Sequence, residues 1–244
     1  MNKHKAVSRL RWQASLKLIL KKWRTKNLNR ERERVEHAML PIIQSYAEGS
    51  SEAGSVLEIG CGPVCLSRLL AIQHKTYLDP LIDDFRRMFP GKLPEKSEYL
   101  SSMAERIPKP AKSYDLILCL NTISHSLNPE LIMHEIERLL KPDGTLILSI
   151  RTHSPIEARL HYWALQTCPA LCRKTRPYYY SLIGIQRTLS RHFKITAAHQ
   201  LKTRATWLPF FKRERHLFVC CRQQNEAPST DHQSNKLKQS SQPA

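Results

Sequence analysis

The chain has 244 residues, of which 41% are apolar and 25% charged, with 15 Pro, 7 Gly and 7 Cys. This is ordinary globular composition, long enough for one larger domain and its core. It excludes a spanning helix, which would need about 18 consecutive apolar residues. No apolar stretch near the start predicts a secretory signal, and no fixed-period repeat predicts a solenoid. The net charge of +18 is uneven: residues 1–30 carry 10 Lys and Arg and no acid, residues 31–150 a net −4, and residues 151–220 a net +11. A mildly acidic middle between basic flanks predicts separate tasks rather than a uniform nucleic-acid-binding coat.

Residues 1–30 read as a basic amphipathic helix, with Trp12, Leu16, Ile19, Leu20 and Trp23 on one face and Lys17, Lys21, Lys22 and Arg24 around it. A second helix is expected over 31–47, kinked or split by Pro41. Residues 49–54 are a small, polar loop. From there strand and helix alternate: strand 55–59, helix 64–73, strand 76–79, helix 81–89, weak strand 98–102, strand 114–120, helix 129–140 and strand 145–150, with Lys141-Pro142-Asp143-Gly144 stopping the last helix. The runs YDLILCL and TLILSI suit strands buried on both faces. This order predicts an α/β fold, a doubly wound parallel sheet with helices on both sides. Residues 151–192 are basic and aromatic and end in a helix. Strands follow at 193–197 and 216–221, and a Gln/Ser-rich tail over 223–244 is expected to be disordered. The organisation predicted is an N-terminal helical arm (1–48), a main domain (49–222) with an insertion at 151–192, and the tail (223–244).

The cysteines do not form a disulfide framework. Cys61 and Cys65, like Cys168 and Cys172, are spaced CxxxC, and Cys220 and Cys221 are adjacent. Even with His153 and His161 nearby, they read as reduced, buried thiols rather than zinc ligands, so no metal is expected.

The informative segment is residues 58–63, EIGCGP. A strand runs into two glycines; Gly60 permits a tight turn with positive φ, and Gly62 lets a ligand approach the backbone at the crevice of a doubly wound sheet. Asp79, about twenty residues on, can accept from two ribose hydroxyls. The dinucleotide fingerprint fails at Cys65, and no Walker lysine follows, so a pyrophosphate is disfavoured. Glu58 would repel a pyrophosphate and suits an ammonium group. Each residue also has a purely structural reading: Glu58 and Gly62 in the turn, Asp79 as a helix N-cap, Asn121 as a loop former.

In sequence order, residues 58–63 (EIGCGP), 77–80 (YLDP), 103–108 (MAERIP), 114–125 (YDLILCLNTISH) and 139–146 (LLKPDGTL) resemble the successive motifs of class I S-adenosylmethionine-dependent methyltransferases, most closely the small-molecule "type 11" group. The resemblance implies the Rossmann-like seven-stranded methyltransferase fold with an antiparallel last strand. It implies that Glu58 senses the methionine ammonium and that Gly60, Cys61 and Gly62 line the methionine. Asp79 would bind the ribose, with Pro80 or Leu81 beside the adenine, Met103 and Ala104 flanking it, and Asn121 closing the pocket. Two positions depart from the pattern: Val64 stands where a third glycine is frequent, and Met103 where an aspartate is usual.

Methyl transfer from a sulfonium needs mainly alignment, with a general base only for a protonated acceptor. His125 is the first candidate base and His153 the second; either also suits a loop. Arg151, Arg159, Arg173, Lys174, Arg176, Arg187 and Arg191, with Tyr162, Trp163, Tyr178, Tyr179 and Tyr180, favour a planar or anionic small-molecule acceptor, or else form a solvated helix face with aromatic core contacts. The arm at 1–30 reads as a lid, a helix on an anionic membrane surface, an RNA contact or a transit peptide. The expected location is the cytoplasm, peripheral on the membrane if the arm engages lipid, or the mitochondrion if it is a transit peptide. The function expected is methyl transfer to an oxygen or nitrogen, less readily a carbon, of a small and lipid-like or anionic molecule. The alternatives are a non-catalytic scaffold of the same fold and, below it, an RNA methyltransferase.

Overall fold

The computed structural model describes residues 7–47, 53–167, 176–201 and 213–223. Two helices, α1 (Arg9–Arg24) and α2 (Leu28–Ala47), precede β1 (Ser55–Ile59), β2 (His74–Leu78), α3 (Ile82–Met88), β3 (Glu98–Leu100) and β4 (Tyr114–Leu120). Then come α4 (Pro129–Leu139), β5 (Leu140–His153), α5 (Pro155–Thr167), α6 (Leu182–Leu189), β6 (Phe193–Leu201) and β7 (Arg213–Arg222). The strands form one sheet in the order β3-β2-β1-β4-β5-β7-β6. All neighbours from β3 to β5 are parallel, and β7 runs antiparallel to both β5 and β6. This is the expected doubly wound sheet with its antiparallel last strand. The chain winds outward from β1 to β3 and then returns to β4, so the order reverses between β1 and β4, where such sheets open a crevice.

Strands buried on both faces need mainly apolar residues, and β1 and β4 supply them at every position but Ser55, Glu58 and Asp115. Leu57, Ile59, Ile117 and Cys119 face a core shared with Ile132, Met133 and Ile136 of α4 and Ile185 and Leu189 of α6. Val56, Leu116 and Leu118 face the opposite core, where α2 inserts Met39 and Ile43, both fully buried. The start of α4 is set locally: Pro129 opens it, and the Asn128 side chain accepts from the Glu130 N–H at 3.1 Å.

Four local expectations need correction. Pro41 does not split α2, which runs unbroken from Leu28 to Ala47; Pro41 and His37, whose carbonyl loses its helical donor, are both exposed, so water can satisfy that oxygen. The helix expected at 64–73 is only a 3-10 turn, Leu66–Leu69, with Leu69 outward at 38% exposure. The Lys-Pro-Asp-Gly run does end α4, but β5 already begins at Leu140, and the run sits in a register shift opposite Tyr114/Leu116. The insertion contains a helix, α5, that periodicity did not reveal. Of the tail, only Gln223 lies within the described residues, donating from Nε2 to the Ser190 carbonyl at 2.9 Å. No helix among the described residues is long and apolar enough to cross a membrane.

Candidate active site

The site is assembled where β1 ends. The chain leaves Ile59 through Gly60 at φ +67°, and a Cβ there would stand 2.2 Å from Thr122 Oγ1. That hydroxyl lies 3.0 Å from the Ile59 carbonyl and 3.1 Å from the Leu120 carbonyl, tying the ends of β1 and β4 together. Both backbone sign and space therefore demand glycine at 60. Gly62, at φ +53°, differs: a Cβ there would meet only the Trp23 ring, at 3.9 Å. Its Cα side is open, as a loop that cradles a ligand requires.

Glu58 is 3% exposed and folds the loop from beneath. Its Oε1 accepts from the Leu66 N–H at 3.0 Å; its Oε2 accepts from the Ser67 N–H at 2.8 Å and the Ser67 hydroxyl at 2.7 Å. Burial raises its carboxyl pKa, opposed by these hydrogen bonds. The helix expected at 64–73 is confined to one turn by the backbone on either side, with Cys65 left-handed at φ 49° and Leu70 extended at ψ 143°, while the Glu58 carboxylate caps the N–H groups of that turn. Asp79, just past β2, bridges two loops. Its Oδ2 accepts from the Gly62 N–H at 3.0 Å and its Oδ1 from the Leu81 N–H at 2.9 Å. Burial lifts its carboxyl to about 6 against the pull of those two donors.

These residues line a cavity of about 430 Å³, a volume typical of small-molecule sites. Gly60, Cys61, Gly62, Pro80, Ala104 and Asn121 line it with Glu58 and Asp79. Asn121 is left-handed (φ 56°), its N–H held by the Ser149 carbonyl at 2.8 Å, so it serves the turn and the lining together. Met103 does not reach the lining; Ala104 and Glu105 do. Glu105 Oε1 also accepts from the Leu127 and Asn128 N–H groups at 2.7 and 3.0 Å.

The helix α1 crosses this cavity. Its chain is anchored on one side by the Val7 N–H donating to the Leu127 carbonyl at 3.1 Å. On the other side Trp23 packs edge-on against Phe85, with ring centroids 6.0 Å apart. Trp12, Leu16, Ile19 and Trp23 line the cavity, so much of the apolar face read from the sequence is turned onto the site. The second arm helix also grips the loop, Arg32 donating to the Pro63 carbonyl at 3.2 Å.

His125 lines the cavity, with Nε2 3.4 Å from an Arg176 guanidinium nitrogen. Arginine has only donors, so in that contact Nε2 is the acceptor. His153 is not on the cavity. It is 6% exposed, with Nδ1 3.1 Å from Glu157 Oε2, and its ring stacks on Tyr179 at 4.0 Å. Burial lowers its pKa. Tyr178 and Tyr180 are core residues, and Trp163 is 66% exposed and away from the cavity. Of the insertion's arginines within the described residues, Arg151 and Arg176 line the cavity; Arg173 and Lys174 lie outside those residues. Arg34 and Arg215 line it as well and were not anticipated. The signal was there: an antiparallel last strand brings its amino end, hence Arg215, to the crevice edge.

Cys61, Cys65, Cys119 and Cys220 are buried free thiols, and burial pushes Cys119 and Cys220 up to about 12. Cys168 and Cys172 lie outside the described residues. Elsewhere His134, Glu137 and His192 gather on the α4 side, where the His192 ring nitrogens face Glu137 at 3.1 Å and Glu130 at 3.5 Å.

Comparison with known proteins bears on the family and the fold. A family model described as a methyltransferase domain matches residues 31–207. The chain belongs to that family, the class I S-adenosylmethionine-dependent methyltransferases. It is 28% identical over 124 residues to a ubiquinone biosynthesis O-methyltransferase of Salmonella paratyphi A, covering 46% of this chain and 50% of that protein. It is 30% identical over 126 residues to the protein of the same name from Xanthomonas axonopodis pv. citri, covering 49% and 53%. The chain spans about half the length of the curated relatives it matches. Among solved structures it is similar to geranyl diphosphate C-methyltransferase from Streptomyces coelicolor A3(2), with a TM-score of 0.59 and 11% identity over 78% of this chain and 82% of that one. A protein from Pyrococcus horikoshii OT3 aligns with a TM-score of 0.57 and 17% identity over 79% and 91%. At these identities the structures speak for the fold.

Proposed function

We propose that the chain transfers a methyl group from S-adenosylmethionine to an oxygen or nitrogen atom of a small-molecule acceptor. The observation that carries the reading is the glycine-loop end of the cavity. An open Gly62, a buried Asp79 carboxylate and a buried Glu58 carboxylate converge there under α1, an acceptor set suited to ribose hydroxyls and an ammonium group. Asp79 has lone pairs left beyond its two backbone partners. Pro80, Leu81 and Ala104 offer apolar surface for a purine, with Met103 one residue outside it. S-adenosylmethionine supplies an already activated methyl group.

The chain's own work is then alignment and exclusion of water. α1 covers the cavity with indole and aliphatic surface, and we read the arm as a lid. His125 stands at the cavity wall with Nε2 as acceptor, able to take the acceptor's proton once Arg176 yields that lone pair. The relatives' O-methyltransferase names favour oxygen as the target atom.

The test is methyl-labelled S-adenosylmethionine incubated with the protein and either a small-molecule extract or total RNA. Label in the small-molecule fraction supports the reading. Label confined to RNA overturns it in favour of nucleic acid, and label in neither, despite cofactor binding, in favour of a scaffold.

A further inference from the structure

On the α4 side of the protein a cluster of side chains stands apart from the cavity and has no part in methyl transfer. His134 and Glu137 are three residues apart, so α4 presents both on one face. His192 comes to them from the turn between α6 and β6, with its Nδ1 3.1 Å from Glu137 Oε2. His134 Nδ1 stands 4.0 Å from the same oxygen, and the two imidazole rings meet edge to face with centroids 4.8 Å apart. One ligand atom from each of the three residues lies within 4.8 Å of the others. None of the three lines the cavity.

Three features distinguish this cluster from a surface ion pair. Among the described residues Glu137 pairs with the two imidazoles and with no lysine or arginine. His192 is 8% exposed, and its second nitrogen, Nε2, stands 3.5 Å from Glu130 Oε2, while Arg191 holds the other Glu130 oxygen at 3.2 Å. An imidazole that turns one nitrogen to a ligand site and the other to a carboxylate has the arrangement that orients a metal-binding histidine. Finally, nitrogen and oxygen ligands of one tetrahedral zinc ion lie about 3.4 Å from each other. The His192–Glu137 pair is already near that spacing, and the His134 side chain, 64% exposed, has room to close the remaining gap.

We propose that His134, Glu137 and His192 form a binding site for a divalent cation of the zinc class, with Glu130 orienting His192 and water in the fourth position. Two imidazoles and one carboxylate are a borderline-soft set that suits zinc; magnesium and calcium take oxygen ligands. The ion ties α4 to the chain entering β6, joining residues 55 positions apart in sequence. Because it binds the folded chain, it raises stability by mass action. The site is independent of the methyltransferase reading and stands whether or not that reading holds.

The experiment titrates the metal-free full chain, its thiols kept reduced, with cobalt(II) and then with zinc. Cobalt is expected to give visible d–d absorption without the sulfur-to-cobalt charge-transfer band of a cysteine site, and zinc to displace it. His134→Ala and Glu137→Gln should each weaken zinc binding at least tenfold and remove the rise in Tm that zinc gives the wild type, with affinity for S-adenosylhomocysteine unchanged. Both substitutions lie on the solvent side of α4, so the test does not depend on a variant at the buried His192. A cobalt spectrum carried by sulfur alone overturns the site. So does zinc affinity as high in the two variants as in the wild type, or no zinc binding at all.

Discussion

The N–H of Gly62 donates to Asp79 Oδ2 at 3.0 Å, so the residue that follows β2 holds the loop that follows β1. One carboxylate thus shapes the loop and presents itself to the cavity. Loop order and ligand binding cannot be separated at this position.

Asp79→Ala is expected to weaken S-adenosylhomocysteine binding about 10- to 100-fold, the equivalent of one charge-assisted hydrogen bond worth about 1.5–3 kcal/mol. His125→Ala, which touches only the acceptor side, should leave that affinity unchanged while slowing methyl transfer. Calorimetry on both variants checks the division; equal losses contradict it.

Protonation of Asp79 should act in opposite directions on stability and on binding. Its carboxyl is raised from 3.8 to about 6 in the folded chain. The folded state therefore holds the proton more tightly than the unfolded state. That contribution to stability is present below about pH 4 and lost as pH rises through about 6. Ribose hydroxyls donate to the ionised form, so affinity for S-adenosylhomocysteine should fall as pH drops below about 6. The rise in Tm caused by the ligand should accordingly be larger at pH 7.5 than at pH 5, and melting curves with and without ligand measure it.

The two loop glycines should respond differently to alanine. At Gly60 the new Cβ would strike Thr122 at 2.2 Å in a left-handed backbone. A loss of several kcal/mol, about 3 or more, is expected from strain and overpacking together. At Gly62 only the backbone strain applies, about 1–2 kcal/mol. Its main effect should be on ligand affinity. Chemical denaturation of the two variants gives the comparison.

Much of this was legible in the sequence because a strand buried on both faces must be largely apolar; β1 and β4 fall where their runs fall. The glycine loop was legible because positive φ selects glycine. What did not show was decided by tertiary contacts. Leu66, Leu69 and Leu70 have helical spacing, but the backbone is left-handed at Cys65 and extended at Leu70, which leaves a single turn. The helix α5 leaves Ile156, Leu160 and Trp163 exposed at 58%, 62% and 66%, so it carries no buried stripe to announce it. Arg34 and Arg215 are 181 residues apart in the chain, and only the sheet's closing strand brings them together.

The arm gives a further prediction. Trp23→Ala removes the ring that packs beside Gly62 and on Phe85. It should speed release of S-adenosylhomocysteine, read by stopped-flow fluorescence. Cosedimentation with anionic vesicles separates the lid from a lipid contact. A lid predicts little vesicle binding in the wild type at low salt, because the apolar face is already occupied. Strong binding that vanishes with residues 1–30 would favour the membrane surface.

The most direct measurement is calorimetric titration of the full chain with S-adenosylhomocysteine beside Asp79→Ala. A single site in the wild type, with its heat lost or shifted at least tenfold in affinity in the variant, is the predicted result. No heat in the wild type, with no rise in Tm at millimolar ligand, would contradict the assignment of the glycine-loop cavity as the cofactor site.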